Sequence, residues 1–174
     1  MPTLQERARQ IKLAIFDVDG VLTDGSLLFT GSGEEIKAFH SHDGHGLKML
    51  KATGVELAII SGRTSGCVER RAAELGIALL FQGVTDKLPV FETLLARLQL
   101  GPAACAYIGD DVVDLPILRR CGLSVCVPAA PDLVKRHVGY VTRAEGGRGA
   151  VRELCELIMQ AQQTLDAQLA GYLA

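Results

Sequence analysis

Hydrophobic residues occur in short continuous runs that are separated by segments of helical length. Such runs are typical of strands buried on both faces of a parallel sheet. They predict strands at residues 11–16, 55–60, 78–81, 105–108, 123–127 and 140–141. The intervening patterns predict helices at residues 46–52, 64–75, 86–98, 115–121, 132–136 and 149–173. This alternation predicts an α/β fold, a Rossmann-like parallel sheet with helices on both faces.

One segment interrupts the alternation. Residues 27–29 and 35–39 are short candidate strands, and the Thr-Gly-Ser-Gly-Glu stretch between them is typical of a hairpin turn. We expect a small β-hairpin flap at about residues 26–39 instead of a second domain. With 174 residues and 48% hydrophobic content, the chain is predicted to form one domain over residues 1–174, ending in a helix and tail at about 149–174.

Charge and composition argue against several classes of protein. A net charge of −2 does not provide the basic surface that nucleic-acid binding requires. Apolar runs are too short to span a membrane, and residues 1–11 lack the apolar centre of a signal peptide. The five cysteines are scattered without a Cys-x-x-Cys pair, which predicts neither a zinc site nor disulfides. We therefore expect a cytoplasmic protein with no nucleic-acid or membrane partner.

Polar residues follow the predicted strands. Because the carboxyl ends of parallel strands meet at one edge of a sheet, these residues are expected to lie close together. They are Asp17 and Asp19 after the first strand, Ser61, Gly62 and Arg63 after the second, Lys87 at the start of a helix, and Asp110, Asp111 and Asp114 after the fourth strand.

The acidic residues of this set suit metal-assisted phosphoryl transfer. Asp17 and Asp110, with the backbone carbonyl of Asp19, offer the hard oxygen ligands that Mg²⁺ prefers. Asp17 is a candidate nucleophile of the aspartyl-phosphate kind. Asp19 is a candidate general acid and base for the leaving group and the attacking water.

The remaining polar residues would stabilise the charge of a phosphoryl group. Ser61, the amide of Gly62 and Lys87 are suitable donors to its oxygens. Each motif alone has a simpler explanation, such as a turn at Asp19 or an N-terminal helix cap at Asp110. Their occurrence together, at one sheet edge, favours a phosphate-handling site.

These motifs resemble those of the haloacid dehalogenase superfamily of phosphatases. The matching residues are Asp17-x-Asp19-Gly20-x-x-Thr23, Ser61-Gly62-Arg63, Lys87 and Gly109-Asp110-Asp111-x-x-Asp114. Segments 37–39, 43–44 and 146–153 further resemble its 3-deoxy-D-manno-octulosonate 8-phosphate phosphatase subfamily. The resemblance implies a nucleophilic Asp17, an acid/base Asp19, and Mg²⁺ held by Asp17, Asp19 and Asp110. It also implies that Asp111 and Asp114 form a supporting shell for the metal waters and Lys87.

The same resemblance implies a set of substrate-binding positions. These are Thr23, His40, Ser41, His42, Asp43, Gly44, Lys48, Ser61, Gly62, Arg63, Arg71, Lys87 and Arg148. The subfamily commonly has Asn-Val-Arg-Asp-Gly at residues 40–44 and an arginine at position 48, so this chain departs from it there. Three histidines within 40–45 also raise the hypothesis of zinc binding, although no acidic or cysteine partner completes a known zinc pattern.

The resemblance implies a sugar-acid phosphate substrate with eight carbons, used in lipopolysaccharide precursor synthesis. Two alternatives stay open: a nine-carbon, sialic-acid-type sugar phosphate with the same mechanism, and a non-catalytic regulatory domain. The resemblance also implies a homotetramer in which the C-terminal segment covers a neighbour's active site and Arg148 acts there. The apolar hairpin residues Leu27, Leu28 and Phe29 would pack between subunits.

Overall fold

A six-stranded parallel sheet forms the centre of the molecule in the computed structural model, which describes residues 2–173. Helices surround it, and the predicted α/β fold is confirmed. The strands are β1 (Leu13–Phe16), β2 (Leu28–Phe29), β3 (Glu35–Ile36), β4 (Glu56–Ile60), β5 (Leu79–Phe81), β6 (Cys105–Gly109), β7 (Leu123–Cys126) and β8 (Tyr140–Val141). The helices are α1 (Leu4–Arg9), α2 (Ser41–Ala52), α3 (Gly66–Leu75), α4 (Lys87–Leu98), α5 (Leu115–Leu118), α6 (Asp132–Lys135), α7 (Ala150–Ala161) and α8 (Leu165–Ala170).

Strand β1 lies inside the sheet, whose order is β5-β4-β1-β6-β7-β8. All four of its residues are buried, and Phe16 is in register with Ile59 of β4 and Ile108 of β6. The Asp17 amide continues the ladder by donating to the Ile108 carbonyl at 3.1 Å. The carboxyl end of β1 therefore delivers Asp17 between the ends of two neighbouring strands.

The hairpin consists of β2 and β3, which pair antiparallel outside the main sheet. Each of these strands is shorter than predicted. Leu27, Leu28, Phe29 and Ile36 are about half exposed. Among residues 2–173, no helix has both the length and the apolar character needed to cross a membrane.

The largest difference from prediction concerns the C-terminal helix. The predicted continuous helix over 149–173 is wrong: α7 ends at Ala161, and α8 begins at Leu165 after Gln163 adopts a left-handed φ of 59°. A non-glycine residue in that conformation interrupts helical hydrogen bonding. The hydrophobic pattern does not report this interruption, because both helices keep some apolar residues.

Two helices in the first third of the chain also differ from the prediction. Helix α1 was not predicted; it is a six-residue helix with a capping box formed by Thr3 and Glu6. Helix α2 begins at Ser41, five residues before the predicted start, and contains Gly44 and Gly46. A side chain at Gly46 would overlap Arg152 of α7, so this glycine allows the two helices to pack closely.

The helix predicted over 115–121 is shorter than expected. A 3-10 turn over Val112–Asp114 comes first, and α5 covers only Leu115–Leu118. Asp111 caps this turn, and its side chain accepts a hydrogen bond from the Val112 amide at 2.7 Å.

Candidate active site

Asp17 lies at the carboxyl edge of the sheet, directly after β1, with 7% of its surface exposed. One carboxylate oxygen accepts a hydrogen bond from the Val18 amide at 2.8 Å and lies 3.0 Å from Lys87 Nζ. These contacts fix the carboxylate group through one of its two oxygens.

Lys87 is a buried cation that joins two carboxylates. Its Nζ lies 2.7 Å from Asp114 Oδ1 and 3.3 Å from the hydroxyl of Tyr107. Tyr107 itself donates to Asp114 Oδ1 at 2.6 Å. Burial lowers the pKa of Lys87, but the charges of Asp17 and Asp114 outweigh it and the net shift is upward. The lysine therefore stays protonated.

Tyr107 is a site residue that sequence reasoning missed. It lies inside the apolar run of β6 and is fully buried. A hydroxyl in a run that is otherwise apolar requires a buried partner, and this requirement was the available signal.

Three carboxylates come together at this edge. Oxygens of Asp17, Asp110 and Asp114 all lie within 4.8 Å of one another. Asp114 already accepts from Lys87, Tyr107 and the amides of Asp110 and Asp111, so its two oxygens are engaged within the protein. Asp17 and Asp110 are consequently the side chains available to a cation.

The electrostatics of these two residues fit a divalent cation. Burial, and then the charge of Asp114, raises the pKa of Asp17 to about 6. Burial, and then the charge of Asp17, raises the pKa of Asp110 to about 7. The raised pKa values show that the two carboxylates are unfavourable when both are ionised. A bound Mg²⁺ would offset this repulsion and accept their oxygens as ligands.

These shifts predict a pH dependence of stability without metal. A folded-state pKa above the unfolded value near 3.8 means that the native state binds more protons, so the free energy of unfolding falls as pH rises from about 4 to about 7. We expect Asp110→Asn to remove part of this fall and to be about 1–2 kcal/mol more stable than wild type at pH 8, after discounting for the partial exposure of Asp110.

Urea unfolding in EDTA from pH 4 to pH 8 would measure this difference. Added Mg²⁺ should stabilise wild type and not the variant. Parallel pH profiles for the two proteins would contradict the expectation.

A cavity of about 260 Å³ opens above the nucleophile candidate. It brings together six of the predicted residues, which follow the three strands β1, β4 and β5. Its lining consists of Asp17, Asp19, Ser61, Gly62, Arg63, Val84, Thr85, Lys87 and Val113. Hydroxyl, amide and ammonium donors thus surround one volume beside a carboxylate, as binding of a phosphoryl group requires.

Thr23, predicted as a phosphate contact, is not among the residues that line this cavity. Its side chain is buried, and its hydroxyl accepts from the amides of Gly20 and Gly25 at 3.4 and 3.2 Å. The same hydroxyl lies 3.4 Å from the Val18 carbonyl. Thr23 holds the loop that carries Asp19 in shape.

The predicted substrate segment at the start of α2 is divided between two surroundings. Ser41, Gly44, Lys48 and Arg71 line a second cavity of about 210 Å³, together with His45 and Leu75. This cavity is separate from the one above Asp17 in the isolated chain. Arg71 also lies over the ring of Phe39, with 5.9 Å between the guanidinium carbon and the ring centroid.

Asp43, predicted to contact substrate, is buried and directed into the interior of the chain. Its carboxylate accepts from the amides of Arg152 and Gly149 at 2.8 and 3.3 Å, which caps the N-terminus of α7. Burial raises its pKa, while these hydrogen bonds act in the opposite direction.

The three histidines do not gather into a metal site. His40 and His42 stack edge to face with centroids 5.0 Å apart, and His45 packs against Tyr172 at 5.6 Å. Among the described residues, the metal-ligating cluster is the aspartate group at the sheet edge, and it contains no histidine.

Arg148 lies beside the loop that follows β1 of its own chain. Its Nη2 is 3.8 Å from Asp24 Oδ2, and the side chain is 70% exposed. The preceding Gly147 donates to the Val21 carbonyl at 2.8 Å, and a side chain at Gly146 would overlap the Gly20 carbonyl. Arg148, Asp110 and Gly20 line a common cavity.

Two residues of the hairpin reach the site and were not among the predicted site residues. Lys37 contacts Asp19, and Glu35 contacts Arg63. Glu35 lies in β3 and Lys37 just beyond its end, and the charge pattern alone does not distinguish either from a surface residue.

Comparison with known proteins fits this geometry. A family model described as a haloacid dehalogenase-like hydrolase matches residues 33–122. The 3-deoxy-D-manno-octulosonate 8-phosphate phosphatase of Yersinia pestis is 48% identical over 161 residues, covering 92% of this chain and 86% of the relative. The chain belongs to the haloacid dehalogenase-like hydrolases.

Solved structures of this family superpose closely. A probable phosphatase of the YrbI family from Pseudomonas syringae has a TM-score of 0.97 and 56% identity, covering 98% of this chain and 97% of the other. The 3-deoxy-D-manno-octulosonate 8-phosphate phosphatase of Moraxella catarrhalis, in complex with magnesium, phosphate and the sugar acid, has a TM-score of 0.95 and 45% identity, with 97% of each chain covered. The predicted family resemblance is confirmed.

Proposed function

We propose that this chain is a magnesium-dependent phosphatase that hydrolyses 3-deoxy-D-manno-octulosonate 8-phosphate to the sugar acid and phosphate. The observation that carries the proposal is the buried Asp17 carboxylate, fixed by Lys87 at 3.0 Å at the base of a cavity lined with phosphate-binding donors. Relatives named for this activity support it, since they align over nearly the whole chain.

The first step transfers the phosphoryl group to the protein. A carboxylate oxygen of Asp17 bonds to phosphorus while the bond from phosphorus to the sugar oxygen breaks. Asp19 donates a proton to that sugar oxygen, which leaves as a neutral hydroxyl. Lys87, Ser61 and the Gly62 amide stabilise the charge on the other phosphoryl oxygens.

The second step returns Asp17 to its starting form. The Asp19 carboxylate takes a proton from a water molecule, whose oxygen bonds to phosphorus as the bond to Asp17 breaks. Phosphate leaves, and Asp19 is protonated for the next cycle. Asp114 takes no part in bond changes; it holds Lys87 in place together with Tyr107.

Mg²⁺ is the cofactor in this proposal. Asp17 and Asp110, with the backbone carbonyl of Asp19, would hold it, and Asp111 would support its water ligands. The ion supplies positive charge that offsets the clustered carboxylates and the phosphate.

The sugar acid itself is expected to contact Arg63 and the cavity formed by Ser41, Gly44, Lys48 and Arg71. Lysine offers a compact point charge where an arginine would grip a carboxylate with two parallel hydrogen bonds. His42, exposed at the start of α2, stands where the subfamily commonly has an arginine. These differences keep a nine-carbon sugar-acid phosphate as a second candidate substrate.

Phosphate release from the two sugar-acid phosphates, measured side by side with Mg²⁺, tests the proposal. We expect a higher kcat/KM for the eight-carbon compound and loss of activity in EDTA. A preference for the nine-carbon compound would change the substrate and keep the chemistry. Absence of phosphate release from either compound would contradict the proposal.

We further propose that the chain acts as a homotetramer in the cytoplasm, in lipopolysaccharide precursor synthesis. The half-exposed apolar residues Leu28, Phe29 and Ile36 support association, because such a patch is unfavourable on a monomer. Free thiols on all five cysteines agree with a reducing compartment. The C-terminal segment would cover a neighbour's active site, where Arg148 would supply a positive charge to the bound sugar phosphate.

Sedimentation tests the assembly. We expect a species of four chains for the wild type at micromolar concentration. Phe29→Asp should shift it to smaller species, since a charge in an apolar interface is costly to bury. A wild-type monomer would contradict the proposal.

A further inference from the structure

Both carboxylate oxygens of Asp19 face cations that come from outside its own loop. Lys37 Nζ, at the end of the hairpin, contacts Oδ1, and Arg63 Nε lies 3.8 Å from Oδ2. The two cations differ in setting, because the Lys37 side chain is 1% exposed and the Arg63 side chain 44% exposed. Lys37 is therefore the contact that solvent screens least.

Lys37 is itself held by Glu35. Its Nζ lies 3.3 Å from Glu35 Oε1, which also accepts from Arg63 Nη2 at 3.2 Å. The other oxygen of Glu35 accepts a hydrogen bond from the Ser65 hydroxyl, just before α3. Glu35 thus joins the hairpin to the loop that follows β4, and Lys37 extends this connection to the loop that follows β1.

The contacts give Lys37 little freedom. A buried ammonium group between two carboxylates loses both partners if its side chain changes rotamer, and desolvation makes that loss costly. The carboxylate of Asp19 is correspondingly restricted, since each of its oxygens has a cation on one side. A proton donor must be held in reach of the leaving oxygen, and misplacement by about 1 Å is enough to slow an enzyme strongly.

We propose that Lys37 is a positioning residue for proton transfer, which orients the Asp19 carboxylate and is supported by Glu35. The inference rests on the proposed function, in which Asp19 protonates the sugar oxygen. Lys37 is not among the residues that line the cavity above Asp17, so it acts through Asp19 and does not contact the phosphoryl group. In this proposal the hairpin belongs to the catalytic machinery as well as to the surface.

A positioning role of this kind predicts a dependence on the leaving group. A sugar alkoxide is strongly basic and leaves only when it is protonated, whereas p-nitrophenolate is weakly basic and leaves without a proton. A residue that only maintains the fold, or only binds phosphate, affects both substrates equally. The kcat/KM value isolates this difference, because it reports on steps up to the first irreversible one.

The experiment compares Lys37→Met with wild type on 3-deoxy-D-manno-octulosonate 8-phosphate, simple alkyl phosphates and p-nitrophenyl phosphate. We expect kcat/KM to fall about 10²-fold or more on the sugar and alkyl phosphates, the lower range for general acid catalysis. On p-nitrophenyl phosphate we expect a change of less than about 3-fold, the difference that separates a positioning role from a structural one. Lys37→Arg should recover part of the loss.

Glu35→Gln is a second variant, which keeps the size and shape of the side chain. It provides the test if Lys37→Met does not fold. It should show the same leaving-group dependence with a smaller loss. Lys12→Met removes an exposed lysine ahead of β1 and is the matched control, with no expected change on any substrate.

Equal losses on all substrates, or no loss on the alkyl phosphates, would overturn the inference. The proposed substrate is decided separately by the wild type. If wild type hydrolyses the alkyl and aryl phosphates but not the sugar-acid phosphate, the substrate proposal fails, while the comparison at Lys37 still gives its own answer.

Discussion

Asp17→Asn is expected to abolish phosphate release while the protein stays folded. An amide does not form the bond to phosphorus that a carboxylate forms, so kcat should fall by about 10⁴-fold or more. The fold should tolerate the change, because the pKa of Asp17 is raised to about 6 and the metal-free protein therefore gains from removal of its charge. Phosphate release and thermal unfolding measure the two effects.

Asp132→Asn is the matched control, since the Asp132 side chain is 85% exposed and does not line the cavity above Asp17. It should have wild-type activity and melting temperature. Substantial turnover by Asp17→Asn would assign the nucleophile to another group and overturn the mechanism. Loss of both activity and folding would instead assign Asp17 a structural role.

Lys87→Met is expected to lower both stability and activity. Lys87 is 4% exposed and joins Asp17 and Asp114, so its removal leaves two buried carboxylates without their cation. Breaking such a buried network typically costs about 3–5 kcal/mol of the free energy of unfolding. Activity should fall as well, because the phosphoryl oxygens lose a donor.

The loss of stability should be smaller at acid pH, where Asp17 becomes protonated and no longer needs a counter-charge. Urea unfolding at pH 5 and pH 8 measures this difference. Lys135→Met is the control, since Lys135 is 3.9 Å from the exposed Asp132 and such pairs contribute about 0–1 kcal/mol. Equal stability of Lys87→Met and Lys135→Met would contradict the arrangement around Lys87.

Much of the sheet and the central cluster could be predicted from local patterns. Continuous apolar runs mark β1, β4 and β6, because strands buried on both faces have no polar alternation. Polar residues just beyond those runs must lie at one sheet edge, so Asp17, Ser61 and Asp110 were expected to be close together. Lys87 was expected at the same edge, because its helix starts there after the preceding strand.

Other contacts are decided by tertiary structure. The resemblance assigned Asp43 to substrate binding, whereas in the isolated chain its carboxylate caps α7, a helix that begins 107 residues later in the chain. The resemblance assigned Thr23 to phosphate binding, whereas its hydroxyl accepts hydrogen bonds from backbone amides of its own loop. A side chain's direction depends on the backbone around it, and residue type does not report that direction.

The sequence by itself determined the α/β fold, the family and the identity of the acidic cluster, because these follow from local periodicity and from motif spacing. Only the tertiary structure decided which carboxylates keep free oxygens, that Tyr107 joins Asp114 in holding Lys87, and that Lys37 of the hairpin contacts Asp19. The physical reason is that hydrogen-bond saturation and ion pairing depend on distances between residues far apart in the chain. Those distances are set by packing of the whole domain.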